Sequence, residues 1–153
     1  PPALIHQLFA HGAAAVVLFN RLYQPDIDID TMAQTSGMVF SQQSDLGNTL
    51  RWLGIASAQI PQLDMAASGG IHEPQDVVKA ILAGATAVEI CSAIYLQGET
   101  FIAQCTEFLT EWLESKGIPT IAEAKGRLNQ KNVSDNSTFE RAQFMRYYSS
   151  HEQ

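Results

Sequence analysis

The sequence predicts a parallel α/β fold, and three observations predict it. Short apolar runs rich in β-branched residues alternate with segments of helical periodicity, in the order helix, strand, long loop, helix, strand, helix, strand, helix. The runs are nearly continuous, as in strands covered on both faces by helices. Glycine or proline punctuates the ends of most helical segments, where such segments stop. Alternation of this kind means parallel strands joined by helical crossovers.

Each element has its own signal. Residues 3–11 place Leu4, Ile5, Leu8 and Phe9 on one helical face, and Gly12 follows as a C-cap. AAAVVLF, 13–19, reads as a strand buried on both faces. The stretch from Asn20 to Asp45 is rich in Asp, Gln, Ser and Thr and reads as a long loop with room for short strands. A second helix runs from about Leu46 to Gln59, with Leu50, Leu53 and Ala56 on one face and Pro61 ending it. LDMAAS, 63–68, is a strand, and Pro74 opens the next helix. Val77, Val78, Ile81 and Leu82 form that helix's stripe, and Gly84 closes it. TAVEIC, 86–91, is a strand. The last long helix spans about Glu99 to Ser115, with the stripe Phe101, Ile102, Cys105, Phe108, Leu109, Trp112 and Leu113. From Lys125 the chain turns polar. This divides it into 1–124 and an extension, 125–153, expected to hold a short helix near Phe139 to Tyr147 that packs on the rest.

At 153 residues and 46% apolar, the chain has the size and composition of one globular domain. A net charge of −7, without a cluster of lysine or arginine, argues against nucleic acid and anionic membrane surfaces as partners. No apolar run reaches the length of a membrane span, and the N-terminus lacks the pattern of a signal peptide. Cys91 and Cys105 lie in apolar segments without metal-like spacing, so buried thiols in a reducing, cytoplasmic setting are expected.

The chemistry concentrates in MAASGGIHEPQDVVKAILAGATAVEICSA, 65–93. Ligands of parallel α/β folds sit at the C-terminal ends of strands. Gly69 and Gly70 stand just past one strand end, where glycine permits positive φ and close backbone approach. Cys91 and Ser92 stand past the next, one βα unit later, where a turn or helix start offers backbone N–H groups to an anion. Two adjacent strand ends of this kind make a phosphate cradle. In closed (β/α)8 barrels that cradle lies after the seventh and eighth strands. Three strands do not close a barrel, which needs about 250 residues. The chain therefore reads as the C-terminal part of one, and a partner is expected: another chain, a second copy in a homo-oligomer, or an N-terminal portion of the barrel.

VVLFNRLYQPDIDID, 16–30, with ASGGIHEPQDVVKAILAGATAVEICSAIY, 67–95, resembles the C-terminal half of dihydroorotate dehydrogenase-like flavoproteins, and RLNQKNV with FERAQFMR is similar to the ending of one subgroup. The resemblance covers nearly the whole chain. It implies a (β/α)8 TIM barrel that holds FMN at its C-terminal mouth and oxidises dihydroorotate to orotate in pyrimidine biosynthesis. It implies that this chain carries strands six to eight. Gly69, Gly70, Cys91 and Ser92 would bind the FMN phosphate through backbone N–H groups, and Asn20 would face the substrate pyrimidine with its amide. The family's catalytic base and its flavin-contacting lysines would lie before Pro1, so no catalytic residue falls in this chain. In the family Thr or Ser follows the strand-six Asn; here Arg21 does, which leaves dihydroorotate and another reduced ring both open as substrate. Another phosphate-binding barrel enzyme and a half-barrel that self-associates are the alternatives.

The remaining candidates read as structural. Asp26, Asp28 and Asp30 alternate, but without the glycine turn and closing glutamate of a calcium loop they read as a solvated loop. His72 reads as a solvent-facing residue at a helix start. Trp52 and Trp112 read as core or interface anchors, Tyr23 as packing, and Ser41 and Ser44 carry no assigned role.

Overall fold

The computed structural model describes residues 2–20, 22, 25–37 and 40–139. In chain order these form α1 (Pro2–Ala10), β1 (Ala15–Leu18), β2 (Pro25–Asp28), β3 (Ala33–Ser36), α2 (Leu46–Gln59), β4 (Asp64–Ser68), α3 (Pro74–Ala83), β5 (Ala87–Glu89), α4 (Ser92–Gln97), α5 (Thr100–Ser115) and α6 (Ile121–Ala124), with 3-10 turns at Gln43–Asp45 and Asn136–Thr138. Arg21, Tyr23 and the part of the expected terminal helix beyond Phe139 lie outside the described residues.

β1, β4 and β5 form a parallel sheet in the order β1-β4-β5, with Val17 opposite Ala66 and Ala67 opposite Val88. Parallel neighbours need long crossovers, and α2 and α3 supply them. Side chains alternate across a strand. Leu18, Met65 and Ala67 therefore pack under the helices, with Leu53, Ala56 and Ala80 above them in one buried cluster. Ala56, Ala67 and Ala80 are almost wholly buried; side chains this small let helix and sheet approach closely.

The other face is different. Ala15, Val17, Ala87 and Glu89 are exposed, Val17 at 47%. The apolar runs predict strands covered on both sides, and among the described residues only one side is covered. A second cluster joins α3 to α5: Val77 and Ile81 meet Phe101, Cys105, Ile118 and Ala124. The α5 stripe is only partly buried, with Ile102 exposed. On α1 the four-residue face reduces to Ile5, since Leu4, Leu8 and Phe9 are exposed.

The long segment after β1 holds an antiparallel hairpin of β2 and β3, exposed along both strands. Asp28 Oδ1 accepts the N–H groups of Asp30 and Thr31 at 2.9 and 3.1 Å and so closes the turn. The Thr31 backbone N–H, its hydroxyl and the Asp30 N–H hold the Asp28 carboxyl below its ordinary range. Past α6 the chain returns across α2 and the end of α3. The N–H groups of Gly126, Leu128 and Gln130 donate to the carbonyls of Ile81, Leu82 and Gly54. Arg51 Nε donates to the Phe139 carbonyl at 3.0 Å. No helix among the described residues is long and apolar enough to cross a membrane.

Candidate functional site

Parallel strands end on one side, and the loops after β1, β4 and β5 meet there. Asn20, Gly69, Gly70, Cys91 and Ser92 all line one cavity of about 210 Å³. These are the five residues singled out by sequence, drawn from three separate strand ends. Phe19, Ser41, Ser68, Ile71 and Glu89 complete the wall. A second cavity, of about 480 Å³, shares Phe19, Asn20, Ser68 and Gly69 with the first and extends to Ser44, Asn48 and Thr49. Asn20 thus lines both.

The glycine pair takes the backbone where other residues rarely go. Gly69 has φ +89° and Gly70 φ +82°. Beyond Gly69 there is open space; a Cβ there would meet nothing within 4 Å. A Cβ on Gly70 would stand 2.3 Å from the Leu46 backbone nitrogen at the start of α2. The N–H groups of Gly69, Gly70 and Ile71 donate to no acceptor among the described residues. The first N–H groups of α4, from Ser92 onward, have no intrahelical partner by position.

Ser41, outside the expected site, lines the cavity and is bonded to His72. The Ser41 N–H donates to Ser92 Oγ at 2.9 Å, and Ser41 Oγ lies 3.1 Å from His72 Nε2. His72 is therefore not a free residue in solvent: it is half-buried and partnered. Nothing in the sequence pairs Ser41 with residues 31 and 51 positions away; only the fold brings them together.

Asp76, four residues past His72, anchors the same loop. Its side chain is fully buried. Oδ2 accepts the N–H groups of His72 and Glu73 at 3.1 and 3.0 Å, and Lys79 Nζ donates to Oδ1 at 2.7 Å. Burial pushes the carboxyl up, but the Lys79 hydrogen bond, the two backbone donors and the Lys79 charge together hold it below its ordinary value. Its signal was legible: an acid three residues after a helix N-cap is half of a capping box.

The expectation of buried thiols holds for Cys105 and fails for Cys91. Cys105 is buried, and burial followed by the Asp76 charge pushes its thiol up. Cys91 is exposed at the cavity wall.

No family model matches the chain. Over 58 residues it is 40% identical to the catalytic subunit of dihydroorotate dehydrogenase B (NAD(+)) of Pyrococcus furiosus, covering 38% of this chain and 19% of that one. Over 121 residues it is 31% identical to dihydroorotate dehydrogenase A (fumarate) of Lactobacillus helveticus, covering 76% of this chain and 38% of that one. The relatives of this chain are dihydroorotate dehydrogenases. It spans 19% and 38% of the length of these two curated relatives. The crystal structure of ligand-free dihydroorotate dehydrogenase from Eimeria tenella superposes with a TM-score of 0.68 at 22% identity, over 82% of this chain and 35% of that one. The structure of the same enzyme with ferulenol gives 0.67. The chain thus has an α/β fold similar to part of dihydroorotate dehydrogenase, itself a TIM barrel.

Proposed function

We propose that the chain is the part of an FMN-dependent dehydrogenase barrel that carries strands six to eight, acting on dihydroorotate or a related reduced pyrimidine. One observation carries this reading: Asn20, Gly69, Gly70, Cys91 and Ser92 converge on one cavity at the ends of parallel strands. The wall fits a phosphate. Gly69 faces open space at positive φ, and the backbone N–H groups beside it have no acceptor among the described residues. Gly69, Gly70, Cys91 and Ser92 would hold the phosphate of FMN there. When bound, FMN supplies the hydride acceptor. Asn20, which also lines the adjoining larger cavity, offers one donor and one acceptor in the plane of its amide, the pattern a pyrimidine edge presents. The exposed sheet face, with Val17 and Ala87, is the face that the remaining strands of the barrel would cover. On this reading the catalytic base and the lysines that contact the flavin ring belong to that other part.

A chimera tests it, with this chain replacing the matching segment of the Lactobacillus helveticus relative. The chimera should bind FMN and lose the oxidised flavin band when dihydroorotate is added without air. Asn20→Ala should keep the flavin and slow that bleaching by about a hundredfold, as for a lost substrate-orienting contact. Bound flavin that dihydroorotate does not bleach would remove the pyrimidine assignment.

A further inference from the structure

We propose that Ser41 and Ser92 bind the phosphate through their hydroxyl groups, and that His72 is a positioning residue that turns the Ser41 hydroxyl toward it. This rests on the phosphate reading above and adds side-chain donors to a cradle otherwise made of backbone. Ser92 lines the cavity with only 9% of its surface accessible. Its Oγ accepts the Ser41 N–H, and its own proton has no acceptor among the described residues. A buried hydroxyl with a spare donor asks for an acceptor from outside the chain.

Ser41 lines the same cavity, with its Oγ 3.1 Å from His72 Nε2. Between a hydroxyl and an imidazole nitrogen at that distance, either can donate. With Nε2 bare, Ser41 donates to the ring and shows the cavity only lone pairs. With Nε2 protonated, the ring donates and the serine proton is free for an anion. Binding of an anion therefore sets the direction of this hydrogen bond. The backbone of His72 is fixed on both sides, its N–H donating to Asp76 Oδ2 at 3.1 Å and its carbonyl accepting from Gln97 Nε2 at 3.0 Å. Glu89 lines the same wall, and its charge opposes an anion. Two hydroxyl donors backed by a ring that can carry a proton offset that opposition.

The test follows His72 directly. The chain is labelled with ¹⁵N in histidine, His72 is assigned through His72→Gln, and nitrogen shifts are recorded on adding FMN, riboflavin or inorganic phosphate. FMN and phosphate should move the His72 Nε2 shift toward that of a ring nitrogen that donates, riboflavin should not, and His6 and His11 should stay unmoved. Ser41→Ala and Ser92→Ala, with unchanged circular dichroism, should each weaken FMN about tenfold or more, the size of a hydrogen bond to a charged group. FMN binding with an unmoved His72 signal and full affinity in both variants overturns the relay and leaves the flavin reading standing. A response to phosphate without one to FMN supports the relay and overturns the flavin reading. No response to either overturns both.

Discussion

Gly69 and Gly70 both hold positive φ, yet their surroundings assign them different tasks. Alanine at Gly70 would place its Cβ 2.3 Å from the α2 backbone. A backbone contact of that kind cannot be relieved by a rotamer change, so the cost adds to the strain of about 1–2 kcal/mol for an L-residue in that region. Alanine at Gly69 carries the strain alone, but its methyl enters the cavity. We expect Gly70→Ala to lower the urea midpoint sharply. Gly69→Ala should lower the unfolding free energy by only about 1–2 kcal/mol while weakening FMN at least as much as any single hydroxyl deletion. Equal stability losses, or equal binding losses, would show that the two glycines are not separated in this way. The sequence marks the pair but cannot separate its members, because the difference lies in what α2 places against one of them. The Ser41–His72 contact was hidden for the same reason: serine and histidine at arbitrary separation carry no spacing signal, and the loop that joins them has no periodicity.

At the scale of elements, the site depends on how α3 begins. Asp76 gathers the N–H groups of His72 and Glu73 and the Lys79 ammonium, so the loop carrying Gly69 and Gly70 is tied to the first turn of the helix. Because the native carboxyl is held below its ordinary 3.8, it binds protons less readily folded than unfolded. Its contribution is complete above that value and is lost as pH falls through the lowered native value. Asp76→Asn should cost about 2 kcal/mol at neutral pH, as for buried donors left with a weaker acceptor. It should also flatten the acid side of the stability profile below pH 3.8. Parallel wild-type and variant profiles, measured by urea unfolding across pH, would contradict this. Helices and strands were legible here because glycine, proline and apolar runs mark them. The hairpin of β2 and β3 was less so, since PDID and AQTS lack the one-sided apolar alternation that a packed strand shows. On α1 and α5 fewer positions are buried than their stripes suggest, because periodicity does not reveal whether anything lies against a face.

For the whole molecule, the same limit explains the sheet. The continuous apolar run of β1 signals burial on both faces, and the helices cover only one. The order of parallel strands, the crossovers and the end at which ligands gather follow from general rules of α/β folds, which is why the five candidate residues, chosen as strand-end positions, line one cavity. On the proposed reading, the loops after β4 and β5 grip a flavin through its phosphate. A fluorescence titration of the chain with FMN, against riboflavin as the ligand lacking phosphate, tests it most directly. Saturable binding of FMN, none of riboflavin, and loss of the FMN signal in Gly69→Ala are the expected results. Equal binding of both flavins, or of neither, would contradict it.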